Sequence, residues 1–379
     1  MGGKITGRPV RLALSGYYGF GNSGDEAVLQ SILQALDQQG REQGVRIEPV
    51  VLSARPDWTS SAYGVRAAHR MRPQELFRTL SSCDGLISGG GSLLQDATSS
   101  RTIPYYLAVL KLAQWLGKPT FVYAQGIGPV ERPLFHRMIA SVLRRCSYVS
   151  VRDAESAALL ERMGLDRKRI EVVPDPVMGM KSEENSVRAE RLGGKSPVLG
   201  VSVRYWRSDR QEIGQLAEAL DAVLGRTNAH VRLLPFHLPS DREASEELRN
   251  RMAYGRTDRV SLAPDLESPL EMFEEVGRCD ALIGMRLHSL IYAAAQTIPV
   301  LGISYDPKID QFLRRLGEEA VGSTDSLDAE RVALAAERLL ADKAHWQREK
   351  SPLVEALKIQ AQQPAREIVS FYKRENLKS

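Results

Sequence analysis

Cationic and imidazole side chains recur just after apolar runs in the second half of the chain. "VLGVSVR" ends in Arg204, "HVRLLPFH" in His237, "DALIGMRLHS" carries Arg286 and His288, and "PVLGISYDPK" reaches Asp306 and Lys308. Taken singly, each has a structural explanation: an arginine can pair with a nearby carboxylate, and a histidine beside "LP" can simply pack. Their convergence points elsewhere. Like charges gathered on one rim repel each other, and a small, multiply charged anion relieves that repulsion. Arginine offers a planar fork that matches carboxylate and phosphate oxygens. Imidazole, whose ordinary titration range includes neutral pH, suits giving and regaining a proton. "GMRLHS" is the sharpest signal. Gly284 is expected to turn the backbone at a strand end, and an extended segment would bring Arg286 and His288 to one region. Ser289 is expected to cap the following helix, whose N-terminus adds partial positive charge.

These residues can act together only if the strands that carry them run parallel. Apolar strand candidates alternate with helical stretches in two series. The first is "VRLALSG", "RIEPVVLS", "DGLISGG", "TFVYAQG", "SYVSVRD" and "IEVVPD"; the second is "VLGVSVR", "HVRLLPF", "RVSLAP", "DALIGM" and "PVLGISY". Such alternation implies βαβ units and parallel sheets, with ligands outside the carboxyl ends of the strands. The polar stretch "MKSEENSVRAERLGGKSP" separates the series. It places one domain at residues 1–180, a linker at 181–196 and a second domain at 197–345, followed by a helical tail at 346–379. "CDGLISGGGS" and "CDALIGMRLHS" are weak echoes of each other, as expected if both halves use one kind of α/β unit.

In the first half, Gly19, Gly21 and Gly24 of "SGYYGFGNSGDEAV" spell the glycine spacing of a dinucleotide turn. The rest of that site is missing. Ser53 and Arg55 stand where an acid should hold the ribose, and Asp25 and Glu26 in the first helical turn would repel a pyrophosphate. Two readings remain open: a sugar-binding loop with Asn22 and Ser23 as cap or hydrogen-bonding groups, or only a tight turn with a helix cap. Other strand ends in this half are glycine-rich and poor in cations, and they carry Gln95, Asp96 and Gln125. Amides and a carboxylate suit sugar hydroxyls, so Asn22, Gln95, Asp96 and Gln125 are the expected acceptor contacts. Asp96 is alternatively a general base or a helix-terminal charge.

Composition sets the frame. A chain of 379 residues, 43% hydrophobic and 26% charged, fits two soluble globular domains at about 150 residues each. A net charge of +4 is too small to imply nucleic acid. No apolar run approaches the roughly 18 residues of a membrane span, and the N-terminal residues lack an apolar signal core, so a cytoplasmic protein is expected. Cys83, Cys146 and Cys279 each precede an apolar run and are expected to be buried fillers. Two basic stretches could meet an anionic membrane surface or be ordinary solvated faces. One carries Arg55, Arg66, His69, Arg70 and Arg72 with Trp58 and Tyr63; the other carries Arg132, Arg137, Arg144 and Arg145.

The motifs "GNSGDEA", "ISGGGSLLQD", "AQGIGP", "SVRD" and "IGMRLHS" resemble those of the polysaccharide pyruvyl transferase family, from about Val10 to Ser304. Within it, the bacterial enzymes that pyruvylate a secondary cell-wall polymer for S-layer anchoring are the nearest resemblance. The family implies an α/β fold of two Rossmann-like domains with parallel sheets facing across a cleft, GT-B-like, here with a helical C-terminal tail. It also implies phosphoenolpyruvate as co-substrate, no metal or other cofactor, and a 4,6-linked pyruvate ketal as product. The implied acceptor is a lipid-diphosphate-linked sugar ending in N-acetylmannosamine, used at the cytoplasmic membrane face. On this resemblance Arg204, Arg286, His237 and Lys308 hold the donor, and His288, with Arg286, is catalytic. The alternative is a GT-B glycosyltransferase using a nucleotide sugar, with Glu267 or Glu271 gripping a ribose. A non-enzymatic sugar-binding scaffold is a third reading.

Overall fold

The computed structural model describes residues 8–96, 101–182 and 196–376. The chain divides into two compact units, Met1–Lys181 with Leu357–Ser379, and Ser182–Ala356. Within the linker expected at 181–196, residues 183–195 lie outside the described residues.

The first unit is built on seven strands: β1 (Val10–Ser15), β2 (Ile47–Ser53), β3 (Arg66–His69), β4 (Gly85–Gly89), β5 (Thr120–Gln125), β6 (Tyr148–Val151) and β7 (Ile170–Val172). They pair in parallel in the order β3-β2-β1-β4-β5-β6-β7. Leu12, Ala13 and Leu14 are consecutive and fully buried, so both faces of β1 are covered. The helix after β1, Ser23–Gln43, begins where the Asn22 side chain accepts the Gly24 N–H, and ends at Gly44 in the left-handed region. β3 was not among the apolar runs, because "RAAH" is a four-residue edge strand without an apolar stretch. Between β5 and β6 the register slips by one residue, from Val122 opposite Val149 to Gln125 opposite Val151, and Ala124 sits at φ +46°.

The second unit has β8 (Val198–Ser202), β9 (His230–Leu233), β10 (Val260–Leu262), β11 (Ala281–Gly284), β12 (Val300–Ser304) and β13 (Gly322–Ser323). All are parallel, in the order β10-β9-β8-β11-β12-β13. β13 escaped the sequence pattern because it is two residues long.

The C-terminal tail is helical over Lys343–Ala361 and Gln363–Asn376. Its last helix belongs to the first unit, where Phe371 and Tyr372 pack on Phe121 of β5 and the Tyr372 hydroxyl donates to the Asp84 carbonyl. Cys83, Cys146 and Cys279 are buried. Burial pushes the Cys146 thiol up to about 11 and the Cys279 thiol up to about 12, which suits packing rather than nucleophilic work. Among the described residues, no helix is long and apolar enough to cross a membrane.

Candidate functional site

In the second unit, β8 and β11 lie side by side at the centre, and the strand order runs outward from them in both directions. This reversal is where an open parallel sheet leaves a ligand crevice at its carboxyl edge. Arg204 follows β8, His237 follows β9, Arg286 and His288 follow β11, and Lys308 follows β12. The four strands are consecutive in the sheet, so all five side chains originate on one edge.

Hydrogen bonds tie these strand ends in pairs. Arg204 donates from Nη1 to the Tyr305 hydroxyl at 2.8 Å, linking the ends of β8 and β12. Its guanidinium also lies over the rings of Tyr305 and Trp206, at 4.8 and 5.4 Å. Arg286 donates from Nε to Asp241 Oδ2 at 2.9 Å and from Nη2 to Asp241 Oδ1. The same Oδ2 accepts the His237 backbone N–H at 3.0 Å, so Asp241 joins the ends of β9 and β11. Asp241 is fully buried, whereas the Arg286 side chain keeps 20% of its surface exposed. Part of the Arg286 charge is thus neutralised inside the protein, the carboxylate pairing open to each of these arginines taken singly. Asp241 and Tyr305 were missed. The only sequence signals for them were an acid in the first turn of the helix Ser240–Arg251 and an aromatic residue just after an apolar run.

The "GMRLHS" segment differs locally from expectation. Arg286 is the extended N-cap residue and helix begins at Leu287, so half-buried His288 lies in the first helical turn. Ser289 is not the cap; its hydroxyl donates to the Arg286 carbonyl. Gly284 is required for close packing, since a Cβ there would lie 2.6 Å from Ser289 Oγ and 2.7 Å from the Leu290 side chain. No acidic residue occupies the first turn of this helix, so its N-terminal partial charge adds to that of the arginines. Lys308 lies in the first turn of the helix Pro307–Arg315, where its N–H donates to the capping Asp306 carboxylate.

The acceptor residues expected on the first unit have mixed fates. Asn22 caps its helix, with Oδ1 taking the Gly24 N–H at 3.0 Å. Asp96 accepts backbone N–H groups of Glu131 and Arg132, which makes it a brace for the start of the helix Pro133–Leu143. Gln95 is half-buried. Gln125 is fully buried at the end of β5, and neither end of its amide has a partner among the described residues. Buried this deeply, it is not a sugar contact. The glycine turn holds its own anion: Glu26, 1% exposed, accepts the Gly19 N–H at 2.8 Å and the Tyr63 hydroxyl at 2.7 Å. In the first basic stretch Arg55, Arg66 and Arg72 are exposed, and Arg70 is buried. Arg55 donates to the Gly19 carbonyl, and Arg70, 7% exposed, donates to the Gly16 carbonyl. Among the described residues, no three His, Cys, Asp or Glu side chains are grouped to hold a metal ion.

The chain is similar to AmsJ, an amylovoran biosynthesis protein of Erwinia amylovora, at 20% identity over 64% of this chain and 62% of that relative. It thus spans about three fifths of that relative's length. Among solved structures, it resembles a Listeria monocytogenes protein assigned as a UDP-N-acetylglucosamine 2-epimerase, with a TM-score of 0.69, 11% identity and 98% coverage of both chains. It also resembles Anabaena HepE, solved with UDP and glucose, with a TM-score of 0.58, 13% identity and coverage of 98% and 100%. At such identities these likenesses carry the two-domain GT-B-like fold alone. The model of the polysaccharide pyruvyl transferase family matches residues 22–307, a span that includes Arg204, His237, Arg286 and His288 and ends one residue before Lys308. The chain belongs to that family, whose transferases place pyruvyl groups on polysaccharide.

Proposed function

We propose that the protein transfers the pyruvyl group of phosphoenolpyruvate to a sugar of a cell-surface polysaccharide precursor, forming a 4,6-ketal and releasing phosphate. The observation that carries the reading is the clustering of Arg204, Arg286, His288 and Lys308 at the carboxyl ends of adjacent strands around the β8–β11 reversal. Phosphoenolpyruvate bears a carboxylate and a phosphate on a three-carbon skeleton, and this edge offers several cationic groups within one sheet. Asp241 and Tyr305 hold two of the guanidiniums in fixed directions, so less side-chain entropy is lost when the anion binds.

The chemistry follows from the donor's polarity. Protonated His288 gives its proton to the C3 methylene, and C2 becomes electrophilic. One sugar hydroxyl attacks C2 to give a tetrahedral phospho-ketal. The C2–O bond to phosphate then breaks, with the leaving charge stabilised by the arginines and by the N-terminus of the helix Leu287–Ala295. The second hydroxyl closes the ketal. Of the two hydroxyl protons released, one restores His288 and the other leaves with phosphate. We assign the acceptor to the first unit, and propose as its finer identity an N-acetylmannosamine-terminated, lipid-diphosphate-linked precursor met at the cytoplasmic membrane face.

Calorimetric titration with phosphoenolpyruvate tests the donor site. The wild type is expected to bind, and Arg204→Ala and Arg286→Ala each to weaken binding about tenfold or more, the loss of a charge-assisted hydrogen bond. Undiminished binding by both variants would refute the assignment.

A further inference from the structure

The loop after β1 displays two aromatic rings to solvent and spends buried charge on holding them there. Tyr17 and Phe20 are 40% and 47% exposed, and their rings stack on each other at 4.0 Å with an interplanar angle of 9°. Single exposed aromatics are ordinary, but a nearly parallel exposed pair on a braced loop is not. Between them, Tyr18 points inward, 1% exposed, and donates its hydroxyl to the Gly89 carbonyl at the end of β4. Gly19 at φ +80° lets the chain reverse, and a Cβ there would lie 2.2 Å from Ser53 Oγ. Both polar groups of the Gly19 backbone are clamped, the N–H by Glu26 and the carbonyl by Arg55 Nε. The Arg70 guanidinium lies 5.2 Å from the Phe20 ring centroid.

This stack stands at the carboxyl ends of β1 and β4, the central neighbours from which the strand order of the first sheet reverses. That is the ligand edge of the first unit. The surroundings select the ligand. An acyl chain needs a continuous apolar groove, whereas here a single pair of ring faces lies among polar and charged groups. Asn22, two residues beyond Phe20, has an amide nitrogen that donates to no described residue. A ligand with one flat apolar face and a polar rim fits: the C–H face of a pyranose stacks on an aromatic ring while its hydroxyls reach the rim.

We infer that Tyr17 and Phe20 form a stacking platform for a pyranose ring of the acceptor polysaccharide, an inference that rests on the pyruvyl transfer reading for the role of the sugar. The platform orients the acceptor and takes no part in bond making.

Saturation-transfer NMR on the full chain, with methyl glycosides of N-acetylmannosamine, glucose and galactose as probes, tests this without phosphoenolpyruvate. Transfer to pyranose C–H protons from at least one probe is expected in the wild type and in Tyr17→Phe, and is expected to be lost in Tyr17→Ser and Phe20→Ser. Melting temperatures of the serine variants confirm folding. In steady-state assays the serine variants are expected to raise the KM for sugar about tenfold, the size of one or two aromatic contacts, with the KM for phosphoenolpyruvate unchanged. No binding of any probe by the wild type, or equal binding by the serine variants, overturns the platform. Phosphate release that ignores both serine substitutions overturns the platform and leaves pyruvyl transfer standing. Sugar held at the stack without phosphate release from phosphoenolpyruvate does the reverse.

Discussion

The Arg286 guanidinium donates two hydrogen bonds to the fully buried carboxylate of Asp241, which also holds the His237 backbone N–H. The guanidinium proposed above to meet the donor anion is thus held in direction by an internal carboxylate. Removing either partner leaves the other without its counter-charge, at a cost of about 3 kcal/mol when the survivor is buried. Asp241→Ala and Arg286→Ala are each expected to lower the urea midpoint, Asp241→Ala also by freeing the His237 N–H. The double variant is expected to be less destabilised than the sum of the two. Strict additivity would show that the pair is not coupled.

His288 is assigned the proton transfers, so its loss should fall on turnover. His288→Ala is expected to lower kcat for phosphate release about a hundredfold or more, the usual contribution of a positioned acid–base group, with phosphoenolpyruvate affinity nearly unchanged. The check is a phosphate-release assay beside a binding titration. Near-normal kcat would remove His288 from the mechanism.

How far the sequence could be read follows from these elements. The echo between "CDGLISGGGS" and "CDALIGMRLHS" marks a real equivalence: β4 pairs with β1 as β11 pairs with β8, and Cys83 and Cys279 fill the joints before them. Long, buried parallel strands were legible because hydrophobic runs bounded by glycine and polar residues have few other uses. β3 and β13 were not, since pairing across an edge writes almost nothing into four or two residues. That Arg204, His237, Arg286, His288 and Lys308 share one sheet edge was legible because residues just after parallel strands all lie at the carboxyl edge. Asp241 was hidden because it follows Arg204 in sequence by 37 positions and precedes Arg286 by 45, so that only the fold brings it to the site. Gln125 was misread as a sugar contact because burial at a bulge leaves no sequence pattern.

Glu26 gives the glycine loop a pH signature. Burial raises its pKa above the ordinary 4.5, opposed by the hydrogen bonds from Tyr63 and Gly19. A carboxyl with a raised folded-state pKa binds protons more tightly when folded. Its contribution to stability is therefore full below the unfolded value and is lost as pH rises through the folded value. Glu26→Gln keeps an acceptor for Gly19 and cannot ionise. The stability difference, variant minus wild type, is expected to grow as pH rises from about 4.5 and then to level off. Urea midpoints of both proteins across that range are the measurement, and a difference that shrinks with rising pH would contradict it.

Gln125 carries a buried amide with no described partner at either end. Replacing it with methionine, of similar length and without polar atoms, removes that burden and is expected to stabilise the protein by about 1 kcal/mol or more. Thermal and urea unfolding both read this. Destabilisation instead would mean that the amide has a bound partner that the protein needs.

If the protein is the proposed pyruvyl transferase, phosphoenolpyruvate is consumed only together with a sugar. Purified protein should be incubated with phosphoenolpyruvate and a 4-nitrophenyl glycoside of N-acetylmannosamine, and both phosphate and product mass followed. Phosphate is expected to be released in step with a sugar carrying one added pyruvylidene group, with neither signal when sugar or donor is omitted. Phosphate release without sugar modification, or modification only with a UDP-sugar as donor, would contradict pyruvyl transfer.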